Sequence, residues 1–361
     1  MPLTCLHCGN GDTLAPRTAY PPGANWQRQA PIGGHRVSSE IPILDLSDFL
    51  AGEPGALEAV AKELQFAAEN IGFFFISGHG VPQDLIDATF EASRRFHDLP
   101  EEEKMALKAN EHNIGYMGRG ASISRASQVY DGERKTNLVA AFFLKRELPA
   151  DHPDIINNKR FRGANQWPSG LVGFRETAIA YMDALERLGK SMLPIYARAL
   201  DLPAGFFAEA FSEPQYTLRL AHYPPAAAED NQFGLAPHTD SSFLTLLAQN
   251  KVEGLQVRRT DGTWFDAPAI PGTFVINSGD MLRRWSNHRF LSTPHRAVAS
   301  IANRDRYAIP FFFDAHADYV QECLPTCTDA SNPPRYEPTT YTDYMLWFAK
   351  QNYAHFRDGK E

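Results

Sequence analysis

Two histidines and one aspartate are the residues whose types and spacing could perform chemistry. His238 and Asp240 lie two positions apart in the segment Pro-His-Thr-Asp, and His295 follows in a later segment, Thr-Pro-His-Arg. Alternate residues of a β-strand project from the same face, so this spacing predicts that His238 and Asp240 reach one ion. The alternative for a single histidine such as His295 is a hydrogen-bonded core residue.

The chemistry of this trio depends on the coordination positions that it leaves open. Two imidazoles and one carboxylate on one side of an ion leave three positions free, which is the facial triad of iron(II) sites that must also bind O2 and a co-substrate. Nitrogen and oxygen ligands suit zinc as well, so the ligand types alone leave both metals open.

The elements that must position these residues are indicated by hydrophobic periodicity. Helical spacing of apolar residues predicts helices over residues 56–71, 84–96, 173–200 and 341–356. Short β segments are predicted at 41–46, 72–76, 217–223, 245–249, 255–258, 273–277, 295–300 and 307–313. Such even spacing favours a mainly β fold with flanking helices, whose core is a jelly roll or barrel of two sheets.

The chain divides into three regions on these patterns. Residues 1–39 are rich in Pro, Gly, Arg and Gln and are predicted to form an irregular arm. Residues 40–212 form a region of helices and strands, and residues 213–361 form the β core with a closing C-terminal helix. Both later regions are predicted to belong to one catalytic unit.

Composition and charge give no reason to expect several kinds of partner. The 361 residues carry a formal net charge of −8, with 43% hydrophobic and 22% charged residues. This mild acidity gives no electrostatic reason to expect nucleic acid or an anionic membrane as a partner. No stretch approaches the roughly 20 apolar residues of a membrane span, and the N-terminus lacks the pattern of a signal peptide, so we expect a cytoplasmic protein.

The four cysteines could in principle form a metal site. Cys5 and Cys8 have the spacing of half a zinc site, and Cys323 and Cys327 could supply the other half. We favour two unrelated pairs of free thiols, as is usual for a protein of the cytosol.

Several ordered motifs resemble one family. The matching segments are Leu-Arg-Leu-Ala-His-Tyr-Pro-Pro (218–225), His-Thr-Asp (238–240), Gly-Leu-Gln-Val (254–257), Asn-Ser-Gly-Asp (277–280), Trp-Ser-Asn (285–287), His-Arg (295–296) and Arg-Tyr-Ala-Ile-Pro-Phe-Phe (306–312). Residues 41–46 and 72–80 are similar to an N-terminal block of the same family. The chain therefore resembles the 2-oxoglutarate/iron(II)-dependent dioxygenases of the isopenicillin-N-synthase-like family.

The resemblance implies a double-stranded β-helix (cupin-like) core that holds Fe(II) through His238, Asp240 and His295. It also implies 2-oxoglutarate as co-substrate and O2 as oxidant. Arg306 matches the family arginine that binds the distal carboxylate of 2-oxoglutarate, a role suited to a permanently charged, two-pronged guanidinium. Tyr223 matches the tyrosine that assists it.

One alternative for Arg306 and two departures from the family motif bear on this implied role. Arg306 could be a surface residue paired with Asp305, although Arg304 fits that role better because a buried strand follows Arg306. The family commonly has a serine where Ala308 stands and an asparagine where Ala221 stands. The missing serine removes a hydrogen bond to a charged group, worth roughly 1.5–3 kcal/mol.

Candidate substrate residues are aromatic. Strand alternation places Phe312 on the face of Arg306, Phe143 matches a family position near substrate, and Phe243 follows the His-x-Asp pair. Core packing is the alternative for each, and we predict it for the neighbouring Phe142. The segment 113–135, with Arg119, Arg125 and Arg134, could be a lid or a surface loop.

The predicted function is oxidation, by default hydroxylation, of a small and partly apolar organic molecule. Two alternatives stay open at this point. The first is an oxidase of the isopenicillin N synthase type, which closes rings without 2-oxoglutarate. The second is a jelly-roll protein that binds a metal without catalysis.

Overall fold

The computed structural model describes residues 41–125, 127–130, 132–299 and 304–352 of the chain. The predicted N-terminal arm, with Cys5 and Cys8, lies outside these residues. The described helices are α1 (Ser47–Ala51), α2 (Ala56–Asn70), α3 (Gln83–His97), α4 (Glu101–Met105), α5 (Pro153–Ile156), α6 (Phe174–Ala199), α7 (Asp280–Trp285) and α8 (Tyr341–Asn352).

Fourteen strands are described in the same residues. They are β1 (Ile43–Asp45), β2 (Phe73–Ser77), β3 (Gly115–Met117), β4 (Ala140–Lys145), β5 (Gln215–Tyr223), β6 (Leu235–His238), β7 (Leu244–Gln249), β8 (Leu255–Arg258), β9 (Trp264–Asp266), β10 (Phe274–Ser278), β11 (His295–Ala297), β12 (Arg306–Asp314), β13 (Val320–Gln321) and β14 (Thr339–Thr340). The predicted helices over 56–71, 84–96 and 173–200 are confirmed as α2, α3 and α6, with ends that differ by at most one residue.

The larger sheet has eight strands in the order β1-β2-β10-β7-β12-β5-β4-β3. Its two ends come from the N-terminal region: β2 pairs with β10, and β4 pairs with β5. Strands from before residue 146 therefore extend the sheet that carries β5, β7, β10 and β12. Such pairings between distant parts of the chain leave no periodic signal in the sequence.

The smaller sheet has four strands in the order β6-β11-β8-β9 and faces the larger one. Leu255 and Val257 of the smaller sheet pack in one apolar cluster with Phe75 and Val275 of the larger sheet. The predicted two-sheet jelly-roll core with flanking helices is confirmed, and the space between its sheets is where the candidate site lies.

The outer face of the larger sheet is covered by α2, α3 and α6. Phe142 of β4 lies in this layer, with its ring centroid 4.2 Å from that of Phe96 and 5.9 Å from that of Phe174. The prediction that Phe142 packs away from the site is confirmed, because adjacent strand residues face opposite sides of the sheet. The helices thus pack against the face of the larger sheet that lies away from the site.

Two negative findings concern only the described part of the chain. None of its helices combines the length and the apolar character that a membrane crossing requires. Cys323 and Cys327 are free thiols there.

Candidate metal centre

The three ligand-type residues lie close together at the end of the smaller sheet where strand β6 ends and the antiparallel strand β11 begins. Strands β6 and β11 are antiparallel neighbours, and their register places His238 directly opposite His295. Asp240 Oδ1 lies 3.6 Å from Nε2 of His238 and 3.6 Å from Nε2 of His295. One ligand atom from each of the three residues lies within 4.8 Å of the others, which is close enough for one ion to bind all three.

The orientation of Asp240 has a different cause from the one that the sequence predicted. Strand β6 ends at His238, so alternation along a strand does not aim the carboxylate. Hydrogen bonds do so instead. The N–H of Asp280 donates to the carbonyl of Asp240 (2.8 Å). Thr245 Oγ1 (2.7 Å) and Asn277 Nδ2 (2.8 Å) both donate to Asp240 Oδ2. Oδ1 is thereby left to face the histidines.

Both imidazoles are held so that Nε2 is available to a metal. Nδ1 of His238 lies 2.9 Å from the carbonyl of Ala236, and Nδ1 of His295 lies 3.1 Å from the carbonyl of Thr293. A carbonyl only accepts, so each Nδ1 carries the proton and each Nε2 presents a lone pair. This is the arrangement in which a backbone carbonyl orients a metal-binding histidine.

The electrostatics of the trio favour cation binding at neutral pH. Burial, reinforced by the neighbouring His238, lowers the pKa of His295 to about 4. Burial alone would raise the pKa of Asp240, but His295, His238 and the hydrogen bond from Asn277 together lower it well below its ordinary value. A neutral His295 and an ionised Asp240 therefore face each other, and a cation binds there without displacing a proton from either.

A substitution of Asn277 tests whether the hydrogen bonds that orient Asp240 contribute to metal binding. We expect Asn277→Ala to weaken iron(II) binding about 10- to 100-fold, because Asp240 loses a donor that fixes its unused oxygen. Competition with a chelator under anaerobic conditions measures the affinity. Asn70→Ala, at the exposed end of α2, is the matched control. An unchanged affinity in Asn277→Ala would contradict this role.

Thr239, which lies between His238 and Asp240, is linked to the C-terminal helix through Asp280. Thr239 Oγ1 (3.0 Å) and the hydroxyl of Tyr344 in α8 (3.2 Å) both donate to Asp280 Oδ2. Asp280 in turn donates its N–H to Asp240, as described above. The closing helix that the sequence predicted therefore reaches the candidate site through the half-buried carboxylate of Asp280.

Arg306 lies deeper between the sheets, at the start of β12. Its side chain is 2% exposed, and the strand register places it opposite Tyr223, whose ring centroid is 4.8 Å from the guanidinium carbon. Nη2 donates to Gln249 Oε1 (3.1 Å). Nε and Nη1 are buried and have no hydrogen-bond partner among the described residues. Burial lowers the pKa of Arg306, and the nearby Tyr223 opposes that shift.

The surface alternative for Arg306 is wrong. Arg304 and Asp305 are the exposed residues of this turn, and Asp305 accepts from His222 rather than from Arg306 (2.6 Å). A buried guanidinium with two unsatisfied donor atoms is costly unless an anion completes it. The residues present therefore fit an acidic ligand at this position.

Ala308 and Ala221 explain how this chain differs from the family motif. They lie opposite each other in the β5–β12 register and pack in a small apolar cluster with Val139. Gln249 of β7 lies opposite Ala308 on its other side and supplies an acceptor to Arg306. An amide from a neighbouring strand thus bonds the guanidinium where the family has a serine hydroxyl.

A cavity connects the triad with Arg306. Residues of both sheets line it, among them Phe73, Arg219, Leu247, Leu255, Pro310 and Phe312. The predicted position of Phe312 on the face of Arg306 agrees with this lining. Phe143 lies on the same face of the larger sheet, opposite Arg219 in the register. Phe143 itself is not among the residues that line the cavity, and the apolar part of the wall comes from Phe73, Leu247, Leu255, Pro310 and Phe312.

Phe243 is a correction to the sequence-based prediction. Its side chain is 1% exposed and belongs to the helix-facing core, with ring centroids of Phe211 and Phe207 at 4.9 and 5.3 Å. The chain turns after Asp240, and the N–H of Phe243 donates to Asp314 Oδ1 (2.7 Å). This turn directs the ring away from the cavity, so the expectation that Phe243 contacts substrate is wrong.

Arg219 is a cavity residue that the sequence analysis missed. It lies in β5 within the motif Leu-Arg-Leu-Ala-His-Tyr, four residues before Tyr223. The signal was available, because residues 219, 221 and 223 alternate onto one face of a strand. Arg119, Arg125 and Arg134, by contrast, are exposed and do not line the cavity.

Two other features of the described chain are poor candidates for the site. His152, Asp154 and Glu213 lie close enough to bind an ion, but Arg162 already pairs with both carboxylates. A larger cavity of about 590 Å³ lies between α3 and the outer end of the larger sheet. It contains none of the three triad residues, so we place the chemistry in the smaller cavity.

Two facing sheets with two histidines and one carboxylate inside them define a metal-dependent double-stranded β-helix protein. Residues 41–170 match the family described as "non-haem dioxygenase in morphine synthesis N-terminal", and residues 214–315 match the "2OG-Fe(II) oxygenase superfamily". The chain belongs to the 2-oxoglutarate/Fe(II) oxygenase superfamily, so it is a dioxygenase that depends on Fe(II), 2-oxoglutarate and O2.

Individual relatives agree with this assignment. The chain is 36% identical over 320 residues to the 2-oxoglutarate-Fe(II) type oxidoreductase hxnY of Emericella nidulans, covering 87% of this chain and 90% of the relative. It is 32% identical to a homoarginine-6-hydroxylase of Glycine max, covering 88% and 98%. The structure of Neurospora crassa T7H with alpha-KG and thymine has a TM-score of 0.74 at 27% identity, covering 84% and 95%.

Proposed function

We propose that His238, Asp240 and His295 hold the iron, that Arg306 and Tyr223 bind the distal carboxylate of 2-oxoglutarate, and that the oxidised substrate is a small organic molecule seated against Phe312. The observation that carries the proposal is the buried guanidinium of Arg306. Its Nε and Nη1 have no partner among the residues described, and it lies in the same cavity as the triad.

The geometry of Arg306 suits a carboxylate for a physical reason. Nε and one Nη of a guanidinium point in parallel and match the two oxygens of a carboxylate. Each of the two donor edges of a guanidinium includes one hydrogen of Nη2, and Gln249 accepts only one of these two hydrogens, so one complete edge of Arg306 is left for the ligand. Tyr223 lies opposite Arg306 in the register, and in this proposal its hydroxyl donates to the same carboxylate.

The remaining residues orient the reactants and keep the site dry. When bound, iron(II) with 2-oxoglutarate and O2 supplies an oxidative decarboxylation, which gives succinate and CO2 and oxidises a substrate C–H bond. The chain contributes fixed ligand atoms, a buried cation for the co-substrate and an apolar wall that excludes water. Hydroxylation is the outcome that we propose, and the hydroxylase name of the Glycine max relative supports it.

A stoichiometry experiment tests the proposal against the main alternative. We expect succinate to form in an amount equal to oxidised product, and we expect no turnover when 2-oxoglutarate is omitted. An oxidase of the isopenicillin N synthase type would consume O2 without forming succinate. Product formation without 2-oxoglutarate would therefore overturn the proposal. The free donors of Arg306 favour the expected result, because that alternative supplies no co-substrate carboxylate to them.

A further inference from the structure

A second guanidinium lines the cavity, and it belongs to Arg219. It lies on β5, on the same face as Tyr223 and four residues before it. In the register of the larger sheet Arg219 is opposite Phe143 of β4, and its guanidinium carbon lies 5.5 Å from the centroid of that ring. Phe312 of β12 is opposite Thr217, the next residue of β5 on this face. Arg219 is thus a cation on a face of the larger sheet that also carries Phe143 and Phe312.

The polar atoms of Arg219 are poorly satisfied. Nε is buried and has no hydrogen-bond partner in the described part of the chain. No carboxylate of the described residues forms an ion pair with this guanidinium, and the one carboxylate that lines the cavity, Asp240, belongs to the triad. The guanidinium instead lies over the ring of Phe143, a cation–π contact. Arg219 as a whole is half-buried, and this contact leaves its buried Nε without a hydrogen-bond acceptor.

The sum of the charges in the cavity also favours an anionic partner for Arg219. Iron(II), a 2-oxoglutarate dianion, ionised Asp240 and the cation of Arg306 together carry no net charge. Arg219 adds one positive charge to this neutral set, in a cavity where low polarity strengthens electrostatic interactions. Arg296 also lines the cavity, but its Nε donates to Gln256 Oε1 (2.8 Å), its guanidinium lies over Trp264, and the carboxylate of Asp266 interacts with its charge. Arg219, unlike Arg296, has no polar partner among the described residues, so it is the cavity cation best placed to bind an anionic group.

We propose that Arg219 binds a carboxylate of the substrate, so that the substrate is a small organic acid whose apolar body lies against Phe312. This inference rests on the proposed function, and it names the substrate class of that same cavity. A guanidinium binds a carboxylate through two parallel hydrogen bonds, which fixes the orientation of the substrate as well as its charge. The acid group would then be held on the larger sheet while the triad lies on the smaller one.

The experiment uses matched acids and amides as probes. Benzoate, phenylacetate, 3-phenylpropionate and cyclohexanecarboxylate are compared with their primary amides. The readout is 2-oxoglutarate-dependent succinate formation by the iron-loaded enzyme, which a bound probe stimulates whether or not it is oxidised. We expect at least one acid to act at a concentration about 10- to 100-fold lower than its amide, as the loss of charge-assisted hydrogen bonds would cause.

Variants of Arg219 decide whether this preference comes from the proposed contact. Arg219→Gln should reduce the preference for the acid over its amide to about one, and Arg219→Lys, which keeps the charge without the fork, should keep part of it. Arg259→Gln is the matched control, because Arg259 also lies over a phenylalanine ring but outside the cavity. It should keep the full preference.

Three results would overturn the inference: no acid stimulates succinate formation, amides act as well as acids, or Arg219→Gln keeps the preference. Failure of the proposed function looks different. It would appear as the absence of the charge-transfer absorption of iron-bound 2-oxoglutarate in the wild-type enzyme without any probe. If that absorption forms equally in wild type and Arg219→Gln but acids have no advantage, the inference about the substrate fails alone.

Discussion

Asp240→Asn should abolish turnover while leaving the fold intact. The asparagine has one oxygen, whereas Asp240 uses Oδ2 for Thr245 and Asn277 and leaves Oδ1 to face the histidines. Either the two donors or the iron must therefore lose their partner, and the negative charge is lost as well. We expect uncoupled succinate formation to fall about 1000-fold or more, which corresponds to roughly 4 kcal/mol of lost stabilisation.

The control for Asp240→Asn is the same change at an exposed carboxylate. Asp305→Asn alters a surface residue paired with His222 and should keep the rate within about twofold. Iron content after anaerobic loading and the denaturant midpoint of the metal-free protein separate loss of metal from loss of fold. Near wild-type succinate formation in Asp240→Asn would show that the carboxylate is not a ligand.

Arg306→Gln should raise the KM for 2-oxoglutarate roughly 100-fold or more, while iron(II) affinity measured without 2-oxoglutarate stays the same. The reason is that two charge-assisted hydrogen bonds are lost, each worth about 1.5–3 kcal/mol. Arg306→Lys should fall between the two, because an ammonium keeps the charge but not the planar pair of donors. Initial rates of succinate formation over a range of 2-oxoglutarate concentrations measure the effect.

Arg304→Gln is the matched control for Arg306, since it removes an exposed arginine two residues earlier in the chain. Its KM for 2-oxoglutarate should equal that of the wild type. A wild-type KM in Arg306→Gln would remove the main support for 2-oxoglutarate binding at this position. In that case the free donors of Arg306 would need another anion.

Much of the site could be predicted because it depends on residue types and spacings within short segments of the chain. The residue types and spacing of His238, Asp240 and His295 were enough to predict the triad, and the family motifs indicated which later histidine completes it. The long helices were also predictable, because α2, α3 and α6 bury one apolar face each, and that periodicity survives without knowledge of their partners. Phe142 followed from simple alternation along β4.

The remaining features depend on contacts between distant residues. Asp240 is aimed by Thr245 and Asn277, and the latter lies 37 residues away. Gln249 replaces the expected serine only because β7 lies beside β12, which no local pattern records. Phe243 was misplaced because a turn, rather than a continuing strand, follows Asp240. Arg219 could not be assigned to the cavity from the sequence, because an arginine in a strand is usually solvated and its buried Nε depends on neighbouring strands that no local pattern records.

The central claim is that one cavity holds iron through His238, Asp240 and His295 and 2-oxoglutarate through Arg306. Anaerobic titration of the metal-free protein with iron(II), and then with 2-oxoglutarate, tests it most directly. We expect the visible charge-transfer absorption of a chelated 2-oxo acid to saturate at one equivalent of each. It should be absent in Asp240→Asn and should require far more 2-oxoglutarate in Arg306→Gln. No absorption in the wild type, or an undiminished one in Asp240→Asn, would contradict the account.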